Sequence, residues 1–597
     1  YLFMMAVGNF KIYRDKWKDI PVDYYLVPAY APYAKQIFGH TPEMMSFFSE
    51  KLGVDYPWNK YAQIVVRDFV SGAMENTTAT LHGDFGQQTE RELIDGSAGE
   101  DVIAHELFHH WFGDYVTTES WSNLSLNESF ADLSETLWNE YKYGKDAGDA
   151  TNYAAMMAYL SNTEAKEKDL IRFYYHDKED MFDVVSYQKG GRILYMLRNY
   201  LGEDAFFKSL QLYLKSNAYQ NTEAHQLRMA FEKVSGKDLN WFFNQWYFGA
   251  GHPELSLTYR WDEDKKTQYI YLDQTQEETV FKLPMKIDLY VDGKAERQSY
   301  FMQKRTDTLS FQMKRKPDWI NVDAEKVLLV KKNDNKSLAD FALQYEQGPL
   351  YLDRMEALNA AIKDKASHEA QQIFVKALDD PYFSVRIKAI QSLDQKGADF
   401  KAVLARLRAM AKNDKHTLVQ AAAIDALAEF NSKDDQLFEE SLKSRSYTVQ
   451  AAALDAIARR DENRAMDVAR SLQADSRGNL ATVILDILAK HGTASDFEYA
   501  MQRFKEADLQ TKFSMLQDYA TLMVKVNDME QLERGVLAMR SFGDQYQKYG
   551  FDKYINGLLE MYIEIKKKEL VKVAAVARPM LQKQIDYAQS MIVKKEQ

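Results

Sequence analysis

The sequence predicts a multidomain α+β chain: a mixed α/β segment, then a small β-sandwich, then an all-helical solenoid. Three observations carry this. Residues 12–250 pass from strand-like runs to helical apolar spacing. Gly249-Ala250-Gly251-His252-Pro253 then breaks the pattern, and period-two alternation follows it. After Lys336 the apolar spacing is helical to the end and repeats every 30 to 34 residues. The expected segments are 1–11, 12–250, 251–335 and 336–597. A length of 597 residues, 46% apolar and 27% charged, suits about three to five globular domains.

Taken in order, Tyr1 to Phe10 is apolar and expected to form one strand; without a basic leader or a long apolar run it is not expected to be a signal peptide. Tyr61 to Phe69 is a β-rich run centred on Ile64, Val65 and Val66. From Asp101 the apolar spacing turns helical. Beyond the Gly/Pro break, Leu255, Leu257, Tyr259 and Trp261 share one face of a strand, as do Ile287 and Leu289. Asp292-Gly293 after Tyr290-Val291 predicts a two-residue hairpin turn. In the helical part, Val385-Arg386-Ile387-Lys388-Ala389-Ile390 lines up with Val419 to Ile424 and with Val449 to Leu454. Leu485-Asp486-Ile487 then matches Leu454-Asp455-Ala456. This period is that of a two-helix HEAT- or armadillo-like unit. Lys566 to Lys568 are expected on a solvated helix face.

Composition removes several classes of function. The formal net charge of -12 argues against nucleic acid as a partner, because phosphate binding wants a basic surface. There is no cysteine, so disulfides, thiolate metal sites and cysteine nucleophiles are excluded. Any metal must be held by His and carboxylates. No run approaches the roughly 18 consecutive apolar residues of a membrane span, and no transmembrane segment is expected.

The chemistry concentrates at His105-Glu106-Leu107-Phe108-His109. On a helix, positions i and i+4 share a face. Two imidazoles so placed can grip one Zn2+, with Glu106 beside them as a base for water, the pattern of zinc metalloproteases. The bland alternative is a pair of hydrogen-bonded core histidines. Catalytic zinc takes three protein ligands and keeps a place open. Glu128 is the candidate third ligand, on a second amphipathic helix whose core stripe is Phe130, Leu133 and Leu137. Glu128, Asp132 and Glu135 share another face of it. Such a carboxylate row is either an ordinary solvated face or the lining of a cation site. In the second case Asp132 or Glu135 orients a ligand imidazole.

At this point the sequence resembles the gluzincin zinc aminopeptidases of the aminopeptidase N type, a family that also includes leukotriene hydrolase. Glu128 lies 19 positions after His109, the family's spacing. Gly72-Ala73-Met74-Glu75-Asn76 is similar to its exopeptidase motif, and Gly53, Tyr56-Pro57, Lys60 and Asp68-Phe69 precede the motif in its manner. Ser186-Tyr187-Gln188-Lys189-Gly190 resembles its catalytic-tyrosine segment. Trp246 and Gly251-His252-Pro253 resemble its passage into the β-sandwich. The resemblance implies a thermolysin-like catalytic domain over 12–250 holding one Zn2+. It implies peptide substrates with a free N-terminus. Residues 72–76 would form an edge strand for the substrate, Glu75 would bind its α-ammonium, Glu106 would be the general base and Tyr187 would donate to the oxyanion. Residues 1–11 would be the last strand of a mostly absent N-terminal β-domain, so that the sequence begins inside a longer protein. Two features depart from the family: Ser129 stands where Gly is usual, and Ser120 to Ser125 lacks a paired Trp.

Three other readings stand beside this one. A thermolysin-like endopeptidase would share the zinc helices without the Glu75 motif. A hydrolase of another substrate, such as a lipid epoxide, would share the whole site. A protein-interaction scaffold with a vestigial peptidase fold would be expected to lose ligands, and here all are present. The expected location is the bacterial cell envelope or periplasm, with the cytoplasm as the alternative.

Overall fold

A computed structural model describes residues 4–67, 69, 71–277, 279–395 and 400–593. Asp68, one of the residues carrying the family resemblance, lies outside them. The chain forms two compact units, residues 1–89 with 97–398, and residues 90–96 with 399–597.

The first unit opens on a five-stranded sheet of order β1-β2-β3-β5-β4, with β1 (Lys11–Trp17), β2 (Ile20–Leu26), β3 (Tyr61–Val65), β4 (Ala73–Met74) and β5 (Ala79–His82). The central strands β2, β3 and β5 run parallel, and β1 and β4 add antiparallel edges. The strand expected over 1–11 is displaced: residues 4–10 carry no regular structure and β1 begins at Lys11. A strand needs a neighbour for its amides and carbonyls. The ladder of β1 starts where β2 ends, at Lys11↔Leu26, and ahead of it Met5 and Val7 stand in solvent.

Helix α1 (Thr41–Leu52) covers this sheet with Met44, Met45, Phe48 and Leu52 fully buried. Phe48 meets Phe108 edge-on at 4.8 Å between ring centroids. That contact seats α2 (Glu100–Phe108), the helix carrying the His105 motif, on the core. Two further helices, α3 (Ser125–Tyr143) and α4 (Lys145–Ser161), complete this layer.

The sandwich consists of a three-stranded sheet over 283–322 and a four-stranded one over 254–334. Their facing residues, among them Leu255, Leu257, Ile270, Leu272, Leu283, Ile287 and Leu289, are buried. The hairpin between Leu283–Val291 and Lys294–Met302 closes through Asp292 and Gly293 at φ 54° and 72°. Positive φ at both places is what a two-residue turn matching strand twist demands.

The helical region begins at Leu338, and its first helices belong to the first unit. Val385, Val419 and Val449 are each buried at the third position of their helices, Phe383–Ser392, Thr417–Glu429 and Tyr447–Ala458. The sequence repeat is therefore a structural register. Two features of the second unit differ from expectation. Lys566 is buried against Glu569 at 3.1 Å rather than solvated. Its stem packs among neighbouring helix residues while its charge is paired. The segment Glu90–Gly96, far away in sequence, sits in the solenoid unit. There Asp95 accepts from the Thr417 and Ser446 hydroxyls and from the Thr448 amide, so it caps the helix Tyr447–Ala458 and is tied by a side-chain bond to the start of Thr417–Glu429. Arg91 stacks on Tyr447 at 3.9 Å and donates to the Arg445 carbonyl.

Candidate metal centre and active site

The α2 helix places two acids, Glu100 and Asp101, in its first turn, where they favour the helix dipole. Ile103, Ala104, Leu107 and Phe108 anchor it in the core. His109 follows its last residue but keeps helical dihedrals, φ -56° and ψ -26°, so His105 and His109 share a face. On α3, Phe130, Leu133 and Leu137 form the core stripe, yet Glu128 and Asp132 are buried too. The carboxylate row is thus no solvated face.

The two helices bring three donor atoms together. Glu128 Oε2 lies 3.4 Å from His105 Nε2 and 3.3 Å from His109 Nε2, and donor atoms of all three residues fall within 4.8 Å of one another. The far nitrogen of each imidazole has its own partner. His105 Nδ1 is 2.8 Å from Glu135 Oε1, and His109 Nδ1 is 3.0 Å from the Phe112 carbonyl oxygen. Both partners accept, so each Nδ1 carries a proton and each Nε2 can offer a lone pair. Burial pushes an imidazole toward neutrality, but the surrounding carboxylates outweigh it. Glu75 and Glu128 raise His109 to about 10, and Glu128 and Glu135 hold His105 well above its usual value. Glu128 Oε2 has no hydrogen-bond donor of its own. A buried carboxylate converging with two imidazole nitrogens calls for positive charge, and two nitrogens with one oxygen are the donor set that suits zinc.

Of the two residues expected to orient an imidazole, Glu135 touches His105. Asp132 instead accepts from Gln188 Nε2 at 3.3 Å. Glu106, beside the ligands, is buried with Oε2 lacking a partner. Burial raises its carboxyl despite the two histidines, so it holds a proton more readily than an exposed acid. Glu75 follows β4, one of the two edge strands of the sheet. It is 4% exposed, and its charge acts on Glu106, His109 and Tyr187. Gly72 and Asn76 flank this strand; Asn76 is buried and donates back to the Met74 carbonyl at 3.4 Å.

Tyr187 sits in a π-turn over Val185–Lys189, a feature common at functional sites. Its ring lies parallel to His105, 5.9 Å away. Burial, then the charges of Glu128, Glu75 and Glu106, push its hydroxyl far up, so it keeps its proton. The close approach behind it depends on two glycines. A Cβ on Gly190 would stand 1.8 Å from Ser129 Oγ, and one on Gly191 2.2 Å from Asp132 Oδ1. Ser129, the departure from the family pattern, donates to the Ser186 carbonyl at 2.7 Å and so ties the tyrosine segment to α3. The sequence offered no sign of this bond.

Sequence reasoning also passed over His110 and Asp114. His110 is fully buried, and burial pushes it down to about 3. Asp114 lies 3.7 Å from His110 Nε2 and is raised by burial to about 7. His110 stands next to a motif that already explained two histidines, and nothing in its spacing marked it.

Comparison with known proteins agrees with this architecture. Residues 37–246 match the family model described as the Peptidase family M1 domain, and residues 370–443 match HEAT repeats. Aminopeptidase N of Streptomyces lividans is 34% identical over 271 residues, 42% of this chain and 31% of that protein. Tricorn protease-interacting factor F2 of Thermoplasma volcanium is 32% identical over 302 residues, 48% of this chain and 37% of its own. The match therefore spans about a third of the length of these curated relatives. The crystal structure of Legionella pneumophila aminopeptidase A in complex with aspartic acid aligns over 97% of this chain and 77% of its own. Its TM-score is 0.63 at 16% identity, a likeness of fold.

Proposed function

We propose that this chain is a zinc aminopeptidase, releasing single residues from the free N-termini of peptides; the match of residues 37–246 to the Peptidase family M1 domain and the likeness to aminopeptidase N support this reading. The observation that carries the reading is Glu75, a buried carboxylate on the sheet edge whose charge reaches Glu106, His109 and Tyr187. An anion there stops an extended peptide at its α-ammonium, one residue before the cleavage point.

His105, His109 and Glu128 would hold the metal. Zinc, when bound there, supplies Lewis acidity toward a carbonyl oxygen and toward water. The remaining work belongs to the chain. The outer edge of β4 offers backbone groups to an extended substrate. Glu75 makes a charge-assisted bond to the free amine, which fixes register. Glu106, with its raised carboxyl, takes a proton from the attacking water and passes it to the departing amine. Tyr187 donates its hydroxyl to the carbonyl oxygen as negative charge gathers there. Glu135 holds the His105 ring in its ligand orientation.

The test is hydrolysis of aminoacyl-p-nitroanilides beside their N-acetylated forms, with and without a zinc chelator. Chelator-sensitive cleavage of the free-amine substrates alone is the expected result. Equal cleavage of both forms would replace an exopeptidase with an endopeptidase. No cleavage by a zinc-loaded sample would overturn the proposal.

A further inference from the structure

We infer that His110 is a positioning residue that sets the distance between the general base and the substrate-anchoring strand. Its ring bridges two backbones. Nδ1 lies 3.1 Å from the carbonyl oxygen of Glu106, and Nε2 lies 3.0 Å from the Thr78 amide nitrogen. The carbonyl can only accept and the amide can only donate. So Nδ1 carries the proton, Nε2 offers its lone pair, and one neutral tautomer satisfies both ends. The first end is the backbone of Glu106. The second closes the turn that follows Glu75 and Asn76.

That turn needs holding. Thr78 sits at φ 65°, a left-handed conformation that a β-branched residue rarely adopts. Such a conformation persists only where its surroundings over-determine it. Here Ala79 N–H donates to the Asn76 carbonyl at 2.7 Å, and the Thr78 carbonyl accepts from Ala62 at 2.9 Å. His110 supplies the bond that joins this turn to α2. The ring itself cannot drift, being fully buried against Tyr61 at 4.9 Å and Tyr56 at 5.5 Å. The His110 carbonyl also accepts from Trp58 Nε1 at 3.1 Å. Glu75 and Glu106 are thereby held through a single rigid side chain, and misplacing one relative to the other costs turnover more than binding.

The inference rests on the aminopeptidase reading for its catalytic consequence but not for the link itself, and two measurements separate them. The variants are His110→Gln, whose amide carries one donor and one acceptor at a similar separation, and His110→Asn, which has the same chemistry but one methylene less reach. Hydrogen exchange of the segment spanning Thr78 reads the link in the zinc-loaded protein. Turnover of aminoacyl-p-nitroanilides, per mole of bound zinc, reads its consequence. For Asn the expectation is exchange and kcat each changed by about tenfold or more, with KM within about threefold. For Gln both stay near wild type. Asn and Gln behaving alike would overturn the proposal. So would faster exchange in Asn with unchanged kcat, since that is a structural role only. A wild type without hydrolytic activity would sink the aminopeptidase reading while exchange still decided the link.

Discussion

At the scale of single residues, the site assigns different work to acids of the same chemistry. Glu106 and Glu128 are both buried, yet burial raises the first, while His109 and His105 outweigh burial at the second and hold it down. One is poised to hold a proton and the other to remain an anion, the separation that acid–base chemistry needs. Glu106→Gln is accordingly expected to keep bound zinc and lower kcat by about 10²–10⁴-fold, measured as metal content beside turnover; retained activity would take the base role from Glu106. Glu135 and Asp132 differ in a parallel way. Glu135→Gln should weaken zinc affinity by about 10–100-fold, read by competition with a calibrated chelator, while Asp132→Asn stays much closer to wild type. Equal losses would show that the His105–Glu135 bond is not what orients the ring.

At the scale of elements, the sandwich and the first helices are joined by a buried ionic cluster. Lys326 Nζ lies 2.7 Å from Asn321 Oδ1, 2.7 Å from Glu356 and 3.2 Å from Asp353. Lys332 reaches Glu356 at 2.6 Å. Burial pushes the Glu356 carboxyl up, and Lys326, Lys332 and Lys336 outweigh that and hold it below its usual 4.5. A carboxyl depressed by folding adds stability that is complete above its unfolded value and drains away as the pH falls below it. Glu356→Gln leaves Lys326 buried without that partner, a cost of about 3 kcal/mol at neutral pH. The gap in urea midpoint between wild type and variant should hold steady down to about pH 5 and narrow below the usual 4.5. A gap constant down to pH 3 would mean that the carboxylate charge is not what stabilises this junction.

At the scale of the whole molecule, the candidate metal site lies entirely in the first unit, while the second unit is built of repeat helices with the segment Glu90–Gly96 among them. A ligand that binds only the folded state stabilises it by mass action, about 2.7 kcal/mol at a hundredfold excess over Kd. Calorimetry is expected to resolve two transitions, of which chelation lowers the one carrying the His105–His109–Glu128 site. A chelator that shifted both equally would mean that the two units unfold as one.

Local pattern determined much of this by itself. The His-Glu-x-x-His spacing, the Phe130–Leu133–Leu137 stripe, the Asp292-Gly293 turn and the valine repeat are each short-range consequences of helix or strand geometry, legible without a fold. The candidate ligands and base were legible for the same reason. What only the tertiary structure decided is every contact whose partners are far apart in sequence: Glu135 rather than Asp132 at His105, Ser129 beneath the tyrosine turn, His110 bridging to Thr78, and Asp95 capping a helix more than three hundred residues away. Periodicity specifies which face of an element is buried, but hydrogen bonds are directional and short, so their partners are settled only when the faces meet.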